Sequence, residues 1–221
     1  MGTREGEGPG APRDRVRGTM APLSAAIAVA SQTLPLYIGA TSVSASALTA
    51  LGVTHVLLTS CNGEKPDMPG TMVCVHLPVD DDMCTPLYEH LGRASEFISG
   101  ALDVGGTVGI LCADGASASP AIAAFFLMHR YAMNLSDALT TVRAAQPHAR
   151  PNVGFWQQLI EAESWLHHGQ ELPSMSIQEY KWSYLQENFP DMAREDILAR
   201  LEQGQSEVAS LLHRFDYTPV G

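Results

Sequence analysis

Between Leu36 and Leu166, four short apolar runs are followed by or interleaved with four stretches of helical periodicity, and this alternation limits the fold more than any other feature. The runs are Leu36-Tyr37-Ile38-Gly39, Val53 to Leu58, Met72 to Leu77 and Thr107 to Leu111. Each is too short for a helix, is rich in β-branched or aliphatic residues, and ends near Gly, Pro or a polar cluster, so each reads as a buried strand. Helical spacing appears from Pro86 to Leu102, where Leu87, Leu91, Ala94, Ile98 and Leu102 recur every three or four residues, and Pro86 suits a first turn. Pro120 to Tyr131 is apolar nearly all round and reads as a core helix. Asn134 and Asn152 read as N-caps of two further helices, the first ended by Pro147 and the second burying Phe155, Leu159 and Leu166. Strands alternating with helices predict an α/β domain with a central, mainly parallel sheet flanked by helices, over residues 31–168.

Two flanks differ in texture. Residues 1–20 are rich in Gly, Pro and Arg and read as a disordered arm. Residues 171–221 read as a helical C-terminal extension, with short amphipathic helices at 177–187, 192–201 and 206–214 broken by Pro190 and Gly204. The chain carries 13 Lys and Arg against 24 Asp and Glu, a net charge of −11, which argues against a nucleic-acid partner because that affinity comes from cations that neutralise phosphates. Residues 20–170 hold only Lys65, Arg93, Arg130, Arg143 and Arg150 as cations, so an anion site there has few to draw on. Cys61, Cys74, Cys84 and Cys112 form no C-x-x-C pair and the His residues are scattered, so no metal or other cofactor is expected. The apolar stretch 21–30 is too short to span a membrane, which takes about 20 residues. With no leader pattern at the start, free thiols in the cytoplasm or nucleus are the expectation.

The run from Gly109 to Ser119 is a strand, a Cys, a Gly-containing loop and a helix start. Loop amides and a helix N-terminus favour an anion and lower a thiol pKa there. A buried structural Cys explains the same residues, and local composition alone favours that reading.

The wider series resembles the dual-specificity branch of the cysteine-dependent protein phosphatases, whose loop reads H-C-x-x-G-x-S-R-S. Leu111-Cys112-Ala113-Asp114-Gly115-Ala116-Ser117-Ala118-Ser119 matches at Cys112, Gly115, Ser117 and Ser119, with Leu111 for the His and Ala118 for the Arg. Leu36-Tyr37-Ile38-Gly39 looks like the family's L-Y-L-G, and Leu51 to Val56 like its L-G-I-T-x-V/I. Leu77-Pro78-Val79-Asp80-Asp81 looks like I-P-V-x-D, and Pro151-Asn152 with Gly154-Phe155 and Gln158-Leu159 like P-N-x-G-F-x-x-Q-L.

The resemblance implies roles residue by residue. Cys112 takes the position of the thiolate nucleophile, Asp81 that of the general acid, and Ser119 that of the hydroxyl that helps the thiolate leave. Residues 112–118 form the phosphate loop, and Asn152 takes the position of a loop-positioning residue, a role a plain helix cap explains equally well. Asp80 and Asp82 read as a solvated acidic loop. The missing Arg would clamp two phosphoryl oxygens, a contact that Ala118 cannot make, and Asp114 adds negative charge beside the site. Leu111 in place of the His implies a higher Cys112 pKa. Arg150 borders the loop and is the candidate substitute cation, although catalysis needs placement to about 0.5 Å, and Arg143 reads as a surface residue. The resulting expectation is a pseudophosphatase that binds a protein partner, a phosphoprotein or kinase, with absent or very weak hydrolysis of phosphotyrosine or phosphothreonine. The alternative is an active protein-tyrosine/serine/threonine phosphatase using Cys112 and Asp81 with a non-standard cation. A third reading takes Asn188-Phe189-Pro190 and Leu211-Leu212 as faintly similar to a ubiquitin-binding module of the CUE type.

Overall fold

A computed structural model describes residues 23–30, 32–60, 68–167 and 174–176. A two-stranded hairpin, β1 (Ala28–Val29) and β2 (Gln32–Thr33), precedes the main sheet, which is built from β3 (Leu36–Ala40), β4 (His55–Thr59), β5 (Val73–Leu77) and β6 (Val108–Cys112). The helices are α1 (Ala45–Ala50), α2 (Tyr88–Asp103), α3 (Ala118–Tyr131), α4 (Leu135–Ala145) and α5 (Val153–Leu166).

The main sheet runs β3-β6-β4-β5 and is parallel throughout. Strand β6 lies in the interior of the sheet, pairing Ala40 with Cys112 on one side and Leu58 with Leu111 on the other, and all five of its residues are buried. Successive side chains of a strand point to opposite faces, and two apolar clusters result. Ile38, Leu57, Ile110 and Cys112 join the larger one with α2, α3, α4 and α5, whereas Val56, Leu58 and Leu111 join Leu48 of α1 and Val43 in the smaller. Helix α3 is buried continuously from Ala118 to Met128, which is why its sequence shows no polar face. Pro120 sits in its first turn, where an amide has no partner to lose.

The expected strands and the four long helices are present, with Asn134 and Asn152 accepting from the amides of Asp137 and Phe155 as N-caps. Two features depart from expectation. The packed body begins by Leu23, upstream of residue 31: Leu23 bridges Gly39, Ser24 N–H donates to Ile38 at 2.7 Å, and Ile27 is fully buried. Helix α1, capped by Ser44, was invisible to periodicity because Leu48 is its one buried residue. The expected arm at 1–20, Cys61, the helices at 177–187, 192–201 and 206–214, and the CUE-like segment lie outside the described residues. Among the described residues no helix is long and apolar enough to cross a membrane.

Candidate active site

Cys112 ends the interior strand β6, and the loop 113–117 carries the chain from there into α3. This is the carboxyl edge of a parallel sheet, the edge at which α/β folds hold ligands. Gly115 turns the loop with φ +73°, and a Cβ on it would come within 2.8 Å of the Gly39 carbonyl carbon, so the loop rests directly on the backbone of β3. Two of the loop's carbonyls are engaged by neighbouring segments: Gly115 O accepts from Gln146 Nε2 at 3.4 Å and Ala116 O from Arg150 N–H at 2.6 Å.

Cys112 is 4% exposed. Burial pushes its thiol above the ordinary value of 9.0, and the Asp114 carboxylate pushes the same way, while the Ser119 hydroxyl and the amides of Ser119 and Ser117 oppose them without prevailing. Ser119 Oγ donates to Sγ at 3.0 Å, and the thiol faces Asp114 Oδ1 at 3.9 Å. Leu111 packs on the opposite face of the sheet among Val43, Val53 and Val56, so it sends no polar group toward the loop.

Asp81 reaches the loop from the segment after β5. Its Oδ1 accepts from Ser117 Oγ at 2.5 Å and from Asn152 Nδ2 at 2.9 Å, and Asn152 N–H donates back to Ser117 Oγ at 3.0 Å. Asn152 therefore acts as helix cap and as tether at once. Behind this network Gly154 admits the acidic segment: a Cβ there would lie 1.9 Å from the Met83 carbonyl oxygen. Asp82 only closes a turn, accepting from Cys84 N–H at 2.8 Å, and Asp80 is exposed. The sequence paired Asp81 with Cys112 only through resemblance; the link from Asp81 to Ser117 crosses 36 residues of chain and leaves no local signal.

The structure thus brings Cys112, Asp114, Ser117, Ser119, Asp81 and Asn152 together, with Ala113, Gly115 and Ala116 as loop backbone. Ala118 opens α3 at 2% exposure and presents a methyl group where the family's pattern has Arg. Arg143 is half-buried rather than a surface residue: its guanidinium lies over Trp156, 5.8 Å from the ring centroid, and Nε donates to Ala149 O at 3.3 Å. That correction follows from Trp156, whose aromatic face engages the cation. Arg150 meets the loop through its backbone N–H.

Comparison with known proteins places these residues in context. The profile described as dual specificity phosphatase, catalytic domain, matches residues 36–165. Human dual specificity phosphatase 28 is 34% identical over 116 residues, 52% of this chain and 65% of its own length. The crystal structure of human DUSP28 superposes with a TM-score of 0.60 at 30% identity, covering 66% of this chain and 96% of that one. The crystal structure of the human tyrosine phosphatase-like serine/threonine/tyrosine-interacting protein superposes at 0.56 with 27% identity, covering 59% and 92%.

Proposed function

The chain belongs to the dual specificity phosphatase family, and from that premise we propose that it is a pseudophosphatase: a regulatory or protein-interaction module with absent or very weak hydrolysis of phosphotyrosine or phosphothreonine. The observation that carries this reading is Ala118, buried at the first position of α3 with no polar atom to offer a phosphoryl group. Hydrolysis through a cysteinyl-phosphate requires sulfur to bond phosphorus while the phosphorus–oxygen bond to the leaving hydroxyl breaks and that oxygen takes a proton. Charge on the three equatorial oxygens must be held throughout, and an Arg supplying that contact is worth about 10³–10⁵ in rate. A thiol pushed above its ordinary pKa lowers the thiolate fraction further, since the thiolate is the nucleophile. Asp81, which the resemblance makes the general acid, is tied by Ser117 and Asn152 to the loop itself.

The partner class that suits this reading is a protein, either a phosphoprotein or a kinase, and the name of the phosphatase-like interacting structure supports the same direction. Cys84 and Cys112 as thiols suit a reducing compartment, the cytoplasm or nucleus. One observation favours the active alternative: Ser119 Oγ stands 3.0 Å from Cys112 Sγ, as a hydroxyl that assists a leaving thiolate would.

Hydrolysis of an aryl phosphate by purified protein separates the two. The expected outcome is no wild-type turnover above background, with Ala118→Arg, alone or combined with Leu111→His, gaining turnover that Cys112→Ser abolishes. Robust wild-type turnover lost in Cys112→Ser overturns the proposal.

A further inference from the structure

The carbonyls of Gly115 and Ala116 are bonded to Gln146 and Arg150, so neither competes with an anion for the loop's amides. The amides of a loop that runs from a strand into a helix N-terminus favour negative charge. In this chain one of those amides is already engaged from within: Ala116 N–H donates to Asp114 Oδ1 at 2.9 Å. The same oxygen lies 3.9 Å from Cys112 Sγ. A phosphorus atom poised for attack stands about 3–3.5 Å from a nucleophile, and the oxygens it carries fall at comparable distances from the sulfur. Asp114 Oδ1 therefore holds an amide of the loop from beside the sulfur, somewhat farther from it than an oxygen of a bound oxyanion would stand.

We propose that Asp114 is the residue that determines what this loop accepts: its carboxylate is a built-in anion that fills one amide of the cradle and repels a second anion, so the loop rejects phosphate-like dianions. The inference deepens the non-catalytic reading above and rests on it for the identity of the cradle. It adds a second barrier distinct from Ala118. Ala118 removes an attraction, while Asp114 supplies a repulsion between like charges, which at a few ångströms is strong even at the effective dielectric of a protein surface. The carboxylate also accounts for part of the upward push on the Cys112 thiol.

Two substitutions separate charge from occupancy. Asp114→Asn keeps an oxygen for the Ala116 amide and removes the charge; Asp114→Ala frees the amide as well. Tungstate serves as the probe, with its dissociation constant measured by calorimetry at neutral pH. The expected result is binding about tenfold or more tighter in Asp114→Asn than in wild type, and at least as tight in Asp114→Ala. Asp80→Asn makes the same change in net charge on an exposed neighbour and is expected to leave affinity within about twofold. If neither Asp114 variant binds more tightly, or if Asp80→Asn gains as much, the proposal falls. Should Asp114→Ala fail to fold, Asp114→Asn carries the test, since its turn is preserved. The readout is binding, so it is separable from turnover: wild-type hydrolysis with tighter tungstate binding in Asp114→Asn overturns the pseudophosphatase reading and the rejection of dianions, and leaves Asp114 as a residue that weakens anion binding.

Discussion

Cys112 sits where opposing influences on one proton can be separated. Burial and Asp114 hold the proton on, and the Ser119 hydroxyl and two amides draw it off, with burial the largest contribution. At pH 7.5, iodoacetamide is therefore expected to modify exposed Cys74 and Cys84 well before Cys112, with Cys112 alkylation quickening as pH rises in a peptide-mapped time course. The sign for stability is set by the same shift. A thiol whose folded pKa is raised contributes stability that is intact below its unfolded value and lost as pH climbs through the folded value. Much at this scale was legible in the chain: Cys112, Gly115 and Ser119 stand in a recognisable order, and the gaps at Leu111 and Ala118 are visible as single letters. The expected rise in the Cys112 pKa has the right direction but a different leading cause, because burial depends on how α3 and β6 pack and not on residue 111. The bond from Asp114 to the Ala116 amide was not legible, since an acid two residues from an amide meets it only if the intervening Gly turns the chain.

At the scale of elements, the acidic segment and the N-terminus of α5 act as a unit. Gly154 lets Met83 lie against the helix backbone, and Asn152 bonds Asp81 from the same turn. The three atoms nearest a Cβ at 154 are all backbone atoms of Met83, so nothing swings aside. Gly154→Ala is expected to destabilise by about 1–3 kcal/mol through overpacking and to move the amide resonances of residues 81–83 in a nitrogen–proton correlation spectrum, while those of α4 stay in place. Long elements were readable because a helix of 14 or 16 residues repeats its period several times. The hairpin β1–β2 has two residues per strand and α1 has one buried residue, so neither repeats a pattern often enough to register. What places them is tertiary: Ile27 N–H donates to Leu36 O at 3.1 Å, and Leu48 fills the face of the sheet opposite α3.

At the scale of the whole molecule, one buried carboxylate joins segments that are distant in sequence. Glu163, 4% exposed, accepts from Leu135 N–H at 2.7 Å at the start of α4, and from Ser174 N–H and Oγ at 2.9 and 2.6 Å. Its place at a helix N-terminus suits its charge. Glu163→Ala leaves these donors without a partner and is expected to cost about 1–3 kcal/mol, read as a fall of about 2–4 °C in Tm for each kcal/mol. Glu163→Gln keeps an acceptor oxygen and is expected to lose less. Net charge set only an expectation about partners; the placement of each charge says more, since Arg143 is committed to Trp156 and Asp114 to the loop. The seat of Gly115 on β3 has a further consequence. The backbone of Gly39 and Ala40 leaves no room for a side chain at 115, so the loop is cast against its neighbouring strand before any ligand arrives. Its shape is a condition of assembling the sheet, and a chain with no use for phosphorus would still have to keep that glycine in order to fold.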